Sequence, residues 1–278
     1  MTFNSPLRYP GGKSILVAEL NRLIVAIGNH KPIYVEPYAG GAGAALGLLI
    51  TDKVERIVIN DLDKAIYAFW KSVTDESERF TRKIFSTPVT ITEWKKQRQI
   101  YLDDNADTFK RGFATFFLNR TNRSGVMNAG PIGGIQQKGT YKIDARFNKK
   151  ELAARVRKIG EYKNRIEVHN EDGIRFTMKY LRRRNTFIYL DPPYFKKGAM
   201  LYLNAYKVAD HKNLANLLNN NSKRHWVLTY DWIKQILALY PDRFRRRLDL
   251  KYRVRDSHKV RNAREVMILS DSVANIVS

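Results

Sequence analysis

The chain has 278 residues, and 50 Lys and Arg against 27 Asp and Glu give it a formal net charge of +23. So many positive side chains repel one another unless a bound polyanion neutralises them, so we expect nucleic acid as the main partner. The absence of cysteine excludes disulfides, thiolate metal sites and thiol nucleophiles, and the five histidines are too scattered to predict a metal site. No apolar run is long enough to span a membrane and no apolar signal segment opens the chain, which predicts a cytoplasmic protein without a membrane partner.

The first motif is SPLRYPGGKSIL at residues 5–16, which contains Gly-Gly-Lys-Ser. A triphosphate-binding loop would need a glycine five positions before Gly12, where Leu7 stands, and a buried strand leading into it. The preceding residues are polar and interrupted by prolines instead. The alternative is a glycine turn that opens the helix KSILVAELNRLIVAI, since apolar residues recur there at helical spacing. The fragment alone does not decide between the two.

After this segment the chain alternates between apolar strands and amphipathic helices. The stretch PIYVEPYAGGAGAALGLLI predicts a strand at residues 33–35, a glycine turn and a helix, and VERIVINDLD predicts a strand that ends at Asn60 and Asp61. The alternation resumes with the strands RIEVHN, TFIYLDPPY and HWVLTY, which are separated by helices. The segments RFRRRLDLKYRVR and REVMILS predict two antiparallel strands at one edge. Strands alternating with helices indicate a doubly wound parallel α/β sheet.

A helical block interrupts this alternation between residues 64 and 147. Its segments KAIYAFWKSVTD, TITEWKKQRQIYLDD and DTFKRGFATFFLNR show helical periodicity, and it ends in the polar loop NRTNRSGVMNAGPIGGIQQKG. We therefore expect one α/β domain formed by residues 1–63 and 148–278, into which residues 64–147 are inserted as a helical domain.

Ligands of such sheets bind beyond the carboxyl ends of the strands, where three polar signals fall. The first, EPYAGGAG, lacks the spacing of a strict G-x-G-x-x-G motif. Its glycines either let a ligand approach the backbone or allow tight packing of strand and helix. The second, Asp61, lies twenty residues beyond Gly41. A carboxylate there can accept hydrogen bonds from two ribose hydroxyls, or it can cap the following helix.

The third signal is TFIYLDPPYF at residues 186–195, where a buried strand delivers Asp191 to the ligand edge. Pro192 and Pro193 lack N–H groups and cannot extend the sheet, so they fix a rigid bend. Asp191 and the Pro192 carbonyl can then accept both N–H bonds of an exocyclic amine, while Tyr194 stacks on its ring. This arrangement favours the pyramidal, more nucleophilic form of an aromatic amine and predicts methyl transfer to it.

Six motifs stand in the order RYPGGK, VEPYAGGAGAAL, VINDLD, FFLNRTNRSG, YLDPPY and REVMIL. With these motifs the chain resembles, over nearly its full length, the Dam-type (class alpha) DNA adenine-N6 methyltransferases. The resemblance implies a Rossmann-like methyltransferase sheet, S-adenosylmethionine as methyl donor, and site-specific methylation of adenine N6 in double-stranded DNA with the target base flipped out. It also implies that the helical insertion recognises the target sequence, and that the protein is of a prokaryotic or phage type.

The resemblance assigns roles to individual residues. The implied catalytic residues are Asp191, Pro192 and Tyr194. The implied donor contacts are Tyr9, Lys13, Tyr38, Gly40, Asp61, Asp172 and Asp191. The implied DNA contacts are Asn119, Arg120, Asn122, Arg123, Ser124 and Lys197. No metal ion is implied.

Four of these positions carry a more detailed expectation. The resemblance places Lys13 where it meets the carboxylate end of the donor or a backbone carbonyl near the catalytic bend. Asp172 is either a partner of the donor adenine or a helix cap. Tyr9 replaces a tryptophan of some relatives, which preserves stacking. Ala42 stands where many members have glycine, which leaves the contacts of the neighbouring glycines open.

Two other activities stay open. An RNA adenine-N6 methyltransferase needs the same tetrapeptide and the same basic surface, although the helical insertion with its loop favours duplex DNA. The intact tetrapeptide argues against a catalytically silent DNA-binding relative. Cytosine-C5 methylation is excluded because it requires a cysteine nucleophile, and only the family resemblance separates cytosine-N4 methylation. We expect a monomer, beside which a cognate restriction endonuclease would act separately.

Overall fold

The structure is a computed structural model that describes residues 5–8, 13–28, 30–195, 206–253 and 260–277. Within this part of the chain a single mixed sheet of seven strands carries helices on both sides. The strands are β1 (Ile33–Glu36), β2 (Arg56–Asn60), β3 (Ile166–His169), β4 (Thr186–Leu190), β5 (Trp226–Asp231), β6 (Phe244–Arg253) and β7 (Val260–Leu269). The predicted α/β class and the predicted strands are confirmed.

The strand order is β3-β2-β1-β4-β5-β7-β6. Strands β1 to β5 are parallel, whereas β7 runs antiparallel between β5 and β6. This matches the expectation of two antiparallel strands at one edge. The order reverses between β1 and β4, and the crevice at such a switch point is where open α/β sheets bind their ligands. The buried parallel strands are rich in Val, Ile, Leu and Tyr, which is why they read as continuous apolar runs.

Eleven α-helices are described in the same part of the chain. They are α1 (Val17–Ile27), α2 (Gly43–Ile50), α3 (Lys64–Asp75), α4 (Ser77–Ser86), α5 (Ile91–Leu102), α6 (Thr108–Thr121), α7 (Lys149–Glu161), α8 (Gly173–Leu181), α9 (Val208–Asn219), α10 (Lys234–Leu239) and α11 (Asp271–Val277). Short 3₁₀ turns cover Lys13–Leu16, Arg123–Gly125 and Lys163–Arg165. The sequence patterns did not predict α10 and α11, which are short. None of the helices described is long and apolar enough to cross a membrane.

Polar side chains begin several of these helices by accepting a first-turn amide. Asp63 accepts from Ala65 at the start of α3, at 2.8 Å. Thr90, Asp107 and Asn148 do the same for α5, α6 and α7. Because Asp63 caps α3, the alternative that Asp61 is the cap of this helix is wrong.

The inserted helices share one apolar core with one face of the sheet. Phe69 of α3 stacks on Phe116 of α6, and Phe80 of α4 packs edge-on against both rings. This aromatic cluster is continuous with sheet residues such as Tyr34. Helices α3 and α6 cross so closely that a Cβ on Gly112 would lie 2.4 Å from a backbone oxygen of α3. The insertion is therefore closely packed internally and shares its apolar core with the sheet. Its assignment to residues 64–147 as a separate recognition domain remains a proposal.

Candidate active site

Asp191 lies at the carboxyl end of β4, immediately after the last buried strand residue. Its Oδ1 accepts hydrogen bonds from the Thr229 hydroxyl at 2.8 Å and from the Tyr194 hydroxyl at 3.1 Å. The Lys13 ammonium lies 3.4 Å from the same oxygen. Thr229 in turn bonds to the Tyr189 hydroxyl at 2.8 Å. These contacts fix the carboxylate through one oxygen, and no hydrogen bond from the described residues reaches Oδ2.

Lys13 joins the two ends of the chain at this carboxylate. Its Nζ donates to Glu265 Oε2 on β7 at 2.7 Å and to the Tyr194 hydroxyl at 2.6 Å. Both Lys13 and Glu265 are buried. Lys13 therefore contacts side chains of the catalytic bend, and its expected contact with the donor carboxylate or with a backbone carbonyl near the bend stays a prediction. Sequence reasoning missed Glu265, although it lies in the quoted REVMIL motif, and it missed Thr229.

Burial raises the pKa of the Asp191 carboxyl above its ordinary value. The nearby Lys13 cation opposes this shift, Glu265 adds to it, and the hydrogen bonds from Thr229 and Tyr194 oppose it. The carboxyl thus lies between a cation that favours its ionised form and an environment that disfavours it. This balance makes Asp191 both an acceptor of hydrogen bonds and a group able to take up a proton.

The two prolines after Asp191 form the rigid bend that the sequence predicts. Pro192 is buried, and no described N–H group donates to the carbonyl of either Pro192 or Pro193. Tyr194 is half-buried, and its ring packs 6.2 Å from the Tyr230 ring at an angle of 44°. The Asp191 carboxylate, the proline carbonyls and the Tyr194 ring thus lie together beyond the carboxyl end of β4.

Asp61 follows β2 and is bound by the glycine turn of the neighbouring strand. Its Oδ2 accepts the Gly40 amide at 2.8 Å, and its Oδ1 accepts the Asp63 amide at 3.0 Å. Burial raises the pKa of the Asp61 carboxyl to about 7 in spite of these two bonds. The Gly40 carbonyl accepts the Trp70 indole N–H at 2.8 Å, so α3 also holds the turn in place.

The glycine turn after β1 contains an alanine in a conformation that favours glycine. Gly40 has a φ of 45° and Ala42 has a φ of 44°, both in the left-handed region. A Cβ on Gly43 would lie 3.2 Å from the Ser14 amide, and one on Gly47 would lie 2.5 Å from the Val17 side chain. These two glycines serve close packing of α2 against the N-terminal turn.

Two further predicted donor contacts lie at the start of α8. Asp172 Oδ1 accepts the Arg175 amide at 2.9 Å, so Asp172 is the helix cap that the sequence allowed. The Tyr38 ring lies against Gly173, where a Cβ would approach within 2.3 Å. Its hydroxyl bonds to the Tyr206 hydroxyl at 2.6 Å. Tyr38 and Asp172 therefore lie on the same side of the switch-point crevice.

Glu36 is a buried acid at the end of β1 that sequence reasoning did not select. Its Oε2 accepts the Ala45 amide in the first turn of α2 at 3.2 Å. Burial raises the pKa of the Glu36 carboxyl well above its ordinary value, and the carboxylates of Asp191 and Asp61 add to the shift. The sequence did contain a signal for this residue, because Glu36 interrupts the apolar run IYVEP and an acid is rarely buried without a partner or a function.

Two residues predicted to contact DNA form hydrogen bonds inside the protein: Asn119, which lies in the last turn of α6 and not in a loop as predicted, and Asn122, directly after that helix. The Asn119 side chain accepts the Arg8 amide at 2.7 Å and donates to the Arg8 carbonyl at 2.9 Å. The Asn122 side chain accepts the Trp94 indole N–H at 2.7 Å and donates to two carbonyls, those of Val126 and Met127. Both asparagines are buried. We therefore correct the expectation that these two side chains contact DNA: they hold this part of the chain to the N-terminal segment and to α5.

Arg123 and Ser124 are exposed at the tip of the loop after α6. Ser124 has a φ of 54°, which turns the backbone sharply at this point. Arg120 is buried instead, and burial together with the nearby cations Arg155 and Arg8 lowers the pKa of its guanidinium to about 9. Its Nε has no hydrogen-bond partner among the described residues.

Two predicted contacts, Tyr9 and Lys197, lie outside the described residues. No cluster of His, Cys, Asp and Glu suited to a metal ion occurs in the described ranges.

Comparison with known proteins identifies the family to which the chain belongs. The sequence model of the D12 class N6 adenine-specific DNA methyltransferases matches residues 9–254, and the chain belongs to this family. It is therefore an enzyme that methylates adenine in DNA. No curated protein matches the sequence.

Among solved structures, the rRNA methyltransferase AviRa from Streptomyces viridochromogenes is similar over 96% of this chain and 88% of its own, at 12% identity and a TM-score of 0.40. At this level the likeness gives no information about substrate.

Proposed function

We propose that this chain transfers the methyl group of S-adenosylmethionine to N6 of an adenine that is flipped out of duplex DNA at a specific sequence, as the Dam-type (class alpha) enzymes do. The observation that carries the proposal is Asp191, whose Oδ1 is held by Thr229, Tyr194 and Lys13 while no hydrogen bond from the described residues reaches Oδ2. A carboxylate held in this way is oriented before the substrate arrives, which is what positioning requires.

The target amine needs activation because its lone pair is delocalised into the purine ring. In the proposed arrangement Asp191 Oδ2 and the Pro192 carbonyl accept the two N–H bonds of N6, and Tyr194 stacks on the base. Accepting both hydrogen bonds favours a pyramidal nitrogen with an available lone pair. When the new C–N bond forms, N6 loses one proton, and Asp191 is the nearest acceptor. The raised pKa of its carboxyl suits that step.

The bound donor supplies an electrophilic methyl group on a sulfonium. The residues at the crevice fit such a molecule, because the segments that directly follow strands β1 to β5 carry five acids and no Lys or Arg in their described parts. Asp61 keeps both oxygens oriented by backbone amides and can accept from ribose hydroxyls. Tyr38 and Gly40 line the turn beside it, and Asp172 lies at the next strand end. Glu36 adds a buried acid at the end of β1, and a cationic ligand would favour the ionised form of its carboxyl.

Flipping of the target base is part of the proposal because of the position of the hydrogen-bond acceptors at Asp191. Asp191 is partly buried at the end of β4, and a base stacked inside a duplex cannot bring N6 to that position. The loop tip with Arg123 and Ser124 is exposed and is proposed to enter a groove. Buried Arg120, with Arg8 and Arg155 close by, is proposed to attract a phosphate near the same loop.

The helical insertion, residues 64–147, is proposed as the target-recognition domain, because it carries this loop and shares its apolar core with the sheet. We propose a monomer in solution and, where a cognate restriction endonuclease exists, one that acts separately.

The direct test is methyl transfer in vitro. Purified enzyme is incubated with radiolabelled S-adenosylmethionine and either genomic DNA lacking methylation or transcribed RNA, followed by nucleoside analysis. We expect label in N6-methyladenine of DNA and none in RNA, and no label with Asp191→Ala. Label in RNA alone would support the RNA alternative, and label in N4-methylcytosine would contradict the base assignment.

A further inference from the structure

The turns that enter the parallel strands and the segments that follow them differ in charge. Nine Lys or Arg and two acids occupy the turns that lead into strands β1 to β5. The cations are Lys31, Lys53, Lys163, Arg165, Arg182, Arg183, Arg184, Lys223 and Arg224. The opposite edge, with Asp191, has only acids in the described segments that directly follow these strands. The catalytic edge thus does not account for this part of the positive charge of the protein. We call the cationic side the amino edge.

The turns of the amino edge are joined to one another, so their charges form one surface. The Asn185 carbonyl accepts the Ile33 amide at 2.9 Å, which joins the turn of β4 to that of β1. The Pro32 carbonyl accepts the Glu55 amide at 3.0 Å, which joins β1 to β2. Arg165 donates to the Glu55 carbonyl at 2.7 Å and thereby adds the turn of β3. Since β5 lies next to β4, its turn continues the row.

Most of these cations are not neutralised within the protein. Asp52 pairs with Lys31 and with Arg165. No ion pair within the described residues involves the remaining seven cations, and all seven are exposed. They are Lys53, Lys163, Arg182, Arg183, Arg184, Lys223 and Arg224. None of the exposed large hydrophobic residues described lies in these turns. The turns therefore present positive charges and no large exposed hydrophobic side chain, beside a cavity of about 160 Å³ that Ile24, Ile27 and Phe187 help to line.

We propose that the amino edge binds the phosphate backbone of a second segment of duplex DNA while the first is held at the catalytic edge. Arginine-rich surfaces without apolar anchors suit phosphates, whereas membrane-binding surfaces add apolar side chains to their cations. The inference rests on the proposed location of the target adenine at Asp191. The two edges face opposite directions, and one short duplex would have to be bent around the molecule to reach both. Bending a site by only 40–90° already costs about 1–6 kcal/mol, so a separate segment is the favoured occupant.

Such a surface would keep the enzyme close to DNA between catalytic events. A protein that holds two segments passes from one to the other without full release. Contacts of this kind are independent of sequence and weaken steeply with salt, because each neutralised phosphate releases counterions. The amino edge would thus act on the search for sites and leave the methyl-transfer step unchanged.

The test uses two duplexes that can be told apart. Enzyme is saturated with an immobilised adenine-containing duplex, and a fluorescent duplex made only of G·C pairs, which holds no target base, is then added at rising salt. We expect capture of the fluorescent duplex by the natural enzyme. The variant R182Q/R184Q/K223Q/R224Q should capture at least about tenfold less at low salt, with a salt slope smaller by about three to four units.

A matched control removes four exposed cations outside both the amino edge and the helical insertion, in K150Q/R157Q/K179Q/K212Q, and should retain capture. The amino-edge variant should also methylate a short single duplex at the natural rate, which separates this inference from the proposed function. Absence of capture by the natural enzyme, equal loss in the control, or stronger capture of duplex RNA or of phosphatidylserine vesicles would each overturn the proposal. Failure of short-duplex methylation by the natural enzyme would instead overturn the proposed function.

Discussion

The Lys13 ammonium lies 2.7 Å from Glu265 Oε2, and this buried ion pair connects the N-terminal turn with β7 beside the catalytic bend. Asp191 Oδ1 lies 3.4 Å from the same ammonium. A buried ion pair brings little net stability because both charges must be desolvated. We therefore interpret Glu265 as a positioning residue that shares the Lys13 cation with Asp191 and keeps it from neutralising that carboxylate fully.

Glu265→Gln should slow catalysis and shift its pH dependence. Without the Glu265 charge, Lys13 can approach Asp191. The contribution of Glu265 to the raised pKa of the Asp191 carboxyl is also lost. The pKa of the Asp191 carboxyl should then fall, so the acid limb of kcat should move to lower pH, while kcat at pH 8 falls about tenfold or more. Lys13→Met should move the acid limb the opposite way. A uniform loss of activity without any shift would show that the pair is only structural.

Asp191→Ala should abolish chemistry and spare binding. We expect turnover to fall by several orders of magnitude, since positioning of the amine and uptake of its proton are both lost, while DNA affinity stays within about tenfold. Thr229→Val tests the orientation of the carboxylate separately. It removes the 2.8 Å hydrogen bond to Oδ1 without removing the acid and should lower kcat more than it changes KM. A folded Asp191→Ala protein with near-normal turnover would contradict the assignment.

Donor binding should release a proton near neutral pH. The Asp61 carboxyl has a pKa of about 7, so a substantial fraction is protonated at pH 6.5. Hydrogen bonds from ribose hydroxyls favour the ionised form and lower this pKa. Calorimetry of S-adenosylmethionine binding in buffers of different ionisation enthalpy should show proton release at pH 6.5 and almost none at pH 9. Asp61→Asn should weaken binding and eliminate the release. If the release persists in Asp61→Asn and disappears in Glu36→Gln, Glu36 is the titrating group.

In the loop after α6, we expect some residues to recognise the DNA sequence and others to stabilise the loop. Arg123→Ala should relax sequence preference, measured as the ratio of methylation at cognate and singly altered sites, because a good bidentate base contact is worth about 1–3 kcal/mol. Asn122→Ala should instead destabilise the fold by about 1–3 kcal/mol in denaturant unfolding, because it leaves the buried Trp94 N–H without a partner. Equal loss of affinity on every sequence with Arg123→Ala would mean that Arg123 contacts phosphate.

The elements and the catalytic bend were readable from the sequence because their signals are local. Val, Ile and Leu runs predicted the parallel strands, and the tetrapeptide from Asp191 to Tyr194 identified the ligand edge. The misjudged residues depend on distant partners. Asn119 and Asn122 are polar residues that the sequence predicts in an exposed loop, yet Asn119 lies in the last turn of α6, and both side chains are buried, with hydrogen bonds to Arg8 and Trp94 respectively. Glu265 was missed because its partner Lys13 is 252 residues away in the chain.

The central claim is sequence-specific methylation of adenine N6 in DNA, and expression in a host that lacks DNA methylation tests it most directly. Modification-sensitive sequencing of the host genome should reveal N6-methyladenine at one defined sequence, and cells that express Asp191→Ala should show none. Unmodified adenine in the DNA of cells that contain the folded natural protein, with N6-methyladenine confined to RNA or absent altogether, would contradict the account.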